Sequence, residues 1–183
     1  MTGRVTSVFV GVILGWVGYA FARLIAPVPL AILAGIGVGV FSMTLLRQTV
    51  AIKGFIALMG PVGVVLPLLA LRHVASQLGL EIQAFSTAEL GIFLLAYGAF
   101  LAASLGYLPV DIYRLGYAPL PVGIMALGLC AYGAITGNIF IPMVAVAGQG
   151  LWLKGWGSSN WFDHVLHAAL LPIALLALTA HIV

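Results

Sequence analysis

The sequence predicts an all-α, polytopic integral membrane protein: about six transmembrane helices in one transmembrane domain over residues 1–183, with a candidate 3+3 inverted repeat. Three observations carry the prediction. Charged residues are 6% of the chain, against about 25% in a soluble domain. Hydrophobic residues are 63% and the mean hydropathy is +1.23, so lipid is the solvent that fits. Apolar stretches recur at 6–24, 27–46, 52–72, 88–107, 119–146 and 163–183, each near the length of about 20 residues that a bilayer core requires.

Taken in order, the first stretch follows Arg4 and ends in Ala20-Phe21-Ala22, the small-x-small form of a secretory cleavage site. We read it as a retained first helix. Gly11 and Gly15 in the first stretch, and Gly35 and Gly39 in the second, are spaced four apart, which lets helix backbones approach closely where lipid supplies no hydrophobic drive. The third stretch contains Pro61 and Pro67, and the run Gly60-Pro61-Val62-Gly63 marks a break, because proline removes a helical hydrogen bond. The fourth begins beside Glu89. The fifth holds Cys130, Gly133 and a second break at Gly137-Asn138-Ile139-Phe140-Ile141-Pro142. The sixth opens with Asp163 and His164 and contains Pro172. A lone cysteine excludes disulfides within the chain.

Between the third and fourth stretches, Val74, Leu78, Ile82 and Phe85 recur at helical spacing, which predicts an interfacial helix over 74–86. Trp152, Trp156, Trp161 and Phe162 predict a second interfacial segment over 149–161, since aromatic rings favour the headgroup level. Cations near the helix ends divide as Arg4, Arg47, Lys53 and Arg114 against Arg23, Arg72 and Lys154, which favours both termini in the cytoplasm.

Internal similarity supplies the repeat, with halves 1–80 and 86–183. Residues 26–34 and 118–126 share an Ala-Pro-x-Pro opening. Gly11 and Gly18 align with Gly91 and Gly98, and Pro67 to His73 resembles Pro172 to His181. With three spans in each half the copies would insert upside down relative to one another, the architecture of many transporters, with the pathway between the halves. Freed backbone groups at the two breaks would then face a cavity, so Asn138, Thr136, Gly60, Pro61, Gly137 and Pro142 are the candidate pathway residues.

His73, Asp163, His164 and His167 are the candidate metal ligands. A divalent transition metal such as zinc takes three or four nitrogen or oxygen donors, and His164 and His167 would share a helix face. A haem is disfavoured; its axial pair would be His73 with His164 or His167. Asp111 and Arg114, three apart in the loop 108–117, are the candidate gate, or a local ion pair. No glycine-rich phosphate loop, catalytic dyad or basic run occurs, so ATP hydrolysis, enzyme activity and nucleic-acid binding are not expected. The first functional expectation is a passive or partner-energised transporter or channel for a small solute or ion. The second is a structural or assembly subunit of a larger membrane complex, contacting copies of itself or other subunits through small-residue helix faces. A transporter requires a polar cavity between twofold-related halves, and a subunit requires a dry centre.

Overall fold

The computed structural model describes residues 2–60 and 63–182, with side chains for 5–60 and 63–180. All regular structure among them is helical: α1 (Thr2–Ala22), α2 (Val28–Thr44), α3 (Val50–Met59), α4 (Val65–Gln77), α5 (Thr87–Ser104), a 3-10 helix (Tyr113–Tyr117), α6 (Pro119–Thr136), α7 (Phe140–Leu153), α8 (Phe162–Val165) and α9 (Leu170–Ile182). Three of these, α1, α5 and α6, are long and apolar enough to cross a membrane, while α2, α3, α7 and α9 are apolar but shorter.

The α1–α2 hairpin forms first in the chain. Arg23 donates to the Ala26 carbonyl at 2.7 Å across the turn, and Pro29 stands at the second position of α2, where no helical N–H is lost. The two helices then run antiparallel with their backbones touching: Gly18 lies against Val38, Gly15 against Gly35, and Gly11 against Gly39 and Met43. A Cβ on Gly35 or Gly39 would stand 2.6 Å from the Gly15 or Gly11 carbonyl oxygen. The small-residue pairs of the sequence are thus the hairpin seam. A groove of 540 Å3 follows this seam between α1, α2 and α4, with Gly11, Gly15, Gly35 and Gly39 in its wall.

Side-chain neighbours sort the remaining helix ends into two groups. At the first end, Val5 and Thr6 of α1 share a cavity with Gly60, Leu151 and Asp163. The amide of Val64, just before α4, donates to the His164 carbonyl at 2.7 Å, and that of Trp161 donates to Gly116 in the 3-10 helix at 2.9 Å. At the second end, Trp16 and Tyr19 of α1 meet the His73 ring of α4 at 5.9 and 6.1 Å. Arg72 there lies over Phe85 at 4.1 Å and near Phe140 at 5.3 Å, and Glu89 accepts from Tyr132 at 2.8 Å. Helices α1, α2, α4, α5, α6, α7 and α9 therefore run alternately between the two ends, α9 leaving the first end along α5.

This order corrects the expectation of six spans. The 52–72 stretch divides at 60–64, and α3 begins and finishes at the first end, so only α4 reaches the second. The 119–146 stretch divides at Gly137, whose φ of +75 closes α6. Helix α7 then returns along α6, with Pro142 packed on Gly133. The 163–183 stretch divides into α8 and α9. Pro61 lies outside the described residues. Six helices of spanning length are not found among those described.

The interfacial segments are also corrected. Helix α4 covers 74–77 and stops, Gly79 turns with φ +85, and 80–86 is not helical. In 149–161, the first residues belong to α7, while Trp161 and the adjoining Phe162 are core residues at 2% and 7% exposure; only Trp152 and Trp156 stay half-buried. The inverted repeat fails on direction. The similar segments pair α1 with α5, α2 with α6 and α4 with α9, and inverted copies must run oppositely. The first two pairs do; α4 and α9 both leave the first end. Gly91 and Gly98, counterparts of Gly11 and Gly18, have no neighbour within 4 Å of a Cβ.

The hairpin seam gives a test with opposite signs on one helix. Gly35→Ala should lower stability by about 1–3 kcal/mol, as overpacking does, because its methyl meets backbone. Gly37→Ala, with open space around it, should be neutral or raise stability through better helix propensity. Thermal unfolding of the two variants in nanodiscs measures this, and equal shifts would refute the seam.

Candidate functional site

The candidate site is the turn 158–165 that closes the first end. Helix α7 runs out at Leu153, and Gly155 and Gly157 adopt φ of +62 and +115, a left-handed region that glycine enters without cost from a Cβ. The Trp152 indole N–H donates to the Ser159 carbonyl at 2.8 Å, folding the chain back over α7. Asn160, fully buried, then acts in three directions. Its amide donates to Ser158 Oγ at 3.0 Å, its Oδ1 accepts from the Phe162 amide at 2.9 Å, and its Nδ2 donates to the Tyr113 carbonyl at 2.8 Å. The last two bonds cap α8 and fasten it to the 3-10 helix. Three glycines make room for this turn. A Cβ on Gly116 would overlap the Asn160 amide, one on Gly63 the His164 carbonyl, and one on Gly148 the Val165 side chain.

The turn directs Asp163 and His164 to one cavity. Asp163 accepts from the Tyr113 hydroxyl at 3.0 and 2.9 Å and from Ser158 Oγ. These hydroxyls are its only partners among the described residues, none of which is a cation. His164, at 3% exposure, places Nε2 3.0 Å from the Ser158 carbonyl. A carbonyl only accepts, so Nε2 carries the hydrogen and Nδ1 keeps its lone pair. The cavity measures 140 Å3 and is lined by Val5, Thr6, Ile56, Gly60, Leu151, Trp156, Gly157, Ser158, Asp163 and His164.

Burial, and then the Asp163 carboxylate, hold the Tyr113 phenol well above its ordinary range. The fold therefore favours the neutral phenol. That contribution is complete below the ordinary tyrosine pKa of about 10 and is lost as pH rises through the higher folded value.

The four candidate metal ligands do not come together. His73 is at the second end between Trp16 and Tyr19, and the other three are at the first, which rules out both a shared metal and the haem axial pair. His167 has both ring nitrogens in use: Nε2 donates to the Met59 carbonyl at 3.0 Å, and Nδ1 accepts from the Ala169 amide at 3.1 Å. No group of three possible metal ligands exists among the described residues. The gate pair is corrected as well. The Asp111 carboxylate accepts from the Arg114 amide at 3.1 Å, which caps the 3-10 helix in place of a guanidinium ion pair.

The pathway candidates scatter. Gly60 lines the first-end cavity, while Asn138, Thr136, Gly137 and Pro142 lie at the second-end turn. Asn138, at 2% exposure, caps α7 by accepting from the Phe140 amide at 3.3 Å and reaches Glu89 at 3.5 Å. The Thr136 hydroxyl donates to the Tyr132 carbonyl at 2.9 Å and accepts from the Asn138 amide at 3.4 Å. These residues stitch α5, α6 and α7 together. Sequence reasoning missed Tyr113, Ser158 and Asn160; the signal for the last two was a Ser-Ser-Asn run, polar and cap-forming, in an otherwise apolar region.

Tyr113→Phe should cost about 1 kcal/mol, the low side for a bond to a charged group because Tyr113 is only partly buried. It should also remove one phenol from the most alkaline phase of a spectrophotometric titration, and an unchanged phase would show that Asp163 does not hold Tyr113. No protein family, no characterised protein and no solved structure matches the chain.

Proposed function

We propose that this chain is a packing subunit of a larger membrane assembly and not a conduit. The observation that carries the reading is the apolar core shared by α4 to α7 and α9, which holds Leu66, Tyr97, Val122, Ala126, Val144 and Leu170, all buried, with Tyr97 and Ala126 midway along their helices. A transport route would need polar lining at this depth, whereas Asn138 and Glu89 lie at the second end. Small-residue positions remain open for neighbours: Gly91 and Gly98 on α5, and Gly123 and Gly128 on α6, have nothing within 4 Å of a Cβ. Such faces admit another helix closely.

In this reading all seven alternating helices cross the bilayer. Helices α4 and α9, with 13 residues each, span about 20 Å, so the bilayer thins locally around them. The alternation also moves Lys154 to the first end, which then carries Arg4, Arg47, Lys53, Arg114 and Lys154 against Arg23 and Arg72. The first end with the N-terminus is therefore cytoplasmic, and the C-terminus is on the opposite side.

Native gel electrophoresis of membranes solubilised in mild detergent should show the chain at a mass well above its own 19.1 kDa, and proteoliposomes should be no leakier to ions and small polar solutes than empty ones. Monomeric migration together with saturable solute flux would restore the transporter reading. Separately, reporters fused to the two termini should be active on opposite sides of the membrane; activity on the same side would refute an odd number of crossings.

A further inference from the structure

We propose that the first-end cavity binds a small cation that donates hydrogen bonds, of the ammonium or primary alkylammonium class. Asp163 carries a carboxylate half-buried in the protein with only hydroxyl partners among the described residues, and no described lysine or arginine side chain lines the cavity. A carboxylate removed from water is costly unless it is compensated. Its two oxygens offer about four acceptor sites, and Tyr113 and Ser158 bring two hydrogens, the phenol's shared between both oxygens.

The second acceptor is His164. This ring is almost completely buried and lines the cavity. Its Nε2 hydrogen is held by the Ser158 carbonyl, which in the neutral ring leaves Nδ1 as an acceptor with no donor among the described residues. The wall therefore presents a negative charge and a neutral nitrogen lone pair, both asking for N–H or O–H donors. Trp156 adds an indole ring to the wall, and aromatic faces attract cations.

Size and chemistry then narrow the class. A volume of 140 Å3 exceeds the roughly 30 Å3 share of one water, so ammonium enters with water or with a short alkyl chain, which Val5, Ile56 and Leu151 can contact. An alkali cation supplies charge without directed donors and leaves the His164 lone pair poorly served. An anion meets Asp163. The inference concerns this cavity alone and holds whether or not the chain belongs to an assembly.

Calorimetric titration of the full chain in zwitterionic-lipid nanodiscs with ammonium, methylammonium, potassium and tetramethylammonium chlorides tests it. Saturable binding is expected for ammonium and methylammonium, and binding at least tenfold weaker for potassium and tetramethylammonium, which lack N–H groups. Asp163→Asn should weaken ammonium binding at least tenfold. Ile56→Trp, which fills the cavity from α3 and leaves Tyr113, Ser158 and His164 unsubstituted, should do the same while keeping the wild-type helical spectrum, so the test stands even where the Asp163 variant fails to fold. Absence of saturable ammonium binding, equal binding of potassium, or ammonium binding unchanged in Ile56→Trp overturns the proposal.

Discussion

The close approach of the turn 160–165 to three separate glycines is the constraint on which the first end depends. This segment follows α7, yet it fixes where α4 begins, through Val64 and Gly63, and where α6 begins, through Gly116 and Tyr113. Backbone bonds of 2.7 and 2.9 Å tie it to both. The bonded residues are buried, where the low local dielectric strengthens such bonds, so a short irregular segment can organise the elements that it touches. The cost is paid in residue choice: Gly63, Gly116 and Gly148 have no room for a side chain.

Much of this arrangement was legible in the sequence. Hydropathy located α1, α2 and α5 almost to their ends, and glycine spacing located the α1–α2 seam. The breaks at Gly60–Gly63 and Gly137–Pro142 were also visible, because proline and glycine interrupt helices for local reasons. Direction was not visible. After Gly137 the chain could have continued, but it reverses, and nothing local in an apolar run distinguishes a kink from a hairpin. That one ambiguity is why seven helices alternate between the two ends where six stretches were expected, and why Lys154 lies at the same end as the start of α1.

The candidate site was legible in a different way. Asp163 and His164 stood out as polar exceptions, but hydropathy assigned them to a helix start at the headgroup level. In the fold they turn inward, and Trp161 and Phe162 go with them into the core. Aromatic residues beside a span end are ordinary interfacial anchors, so the inward turn depends on partners far away in the chain, Tyr113 and Gly63 among them, that no local pattern reveals. Gly79 had the opposite effect on 74–86, ending a helix that the apolar spacing alone would have continued.

Polar groups at both ends and apolar packing between them have one further consequence. At the second end Arg72 lies over two aromatic rings and near Glu89, so opposite charges share one neighbourhood and the histidine there, His73, rests on aromatic edges. At the first end, among the described residues, Asp163 has hydroxyl partners and no cation, and the His164 ring has the Ser158 carbonyl. The two ends therefore differ in charge: a carboxylate faces a cavity at the first, whereas Arg72 and Glu89 share one neighbourhood at the second.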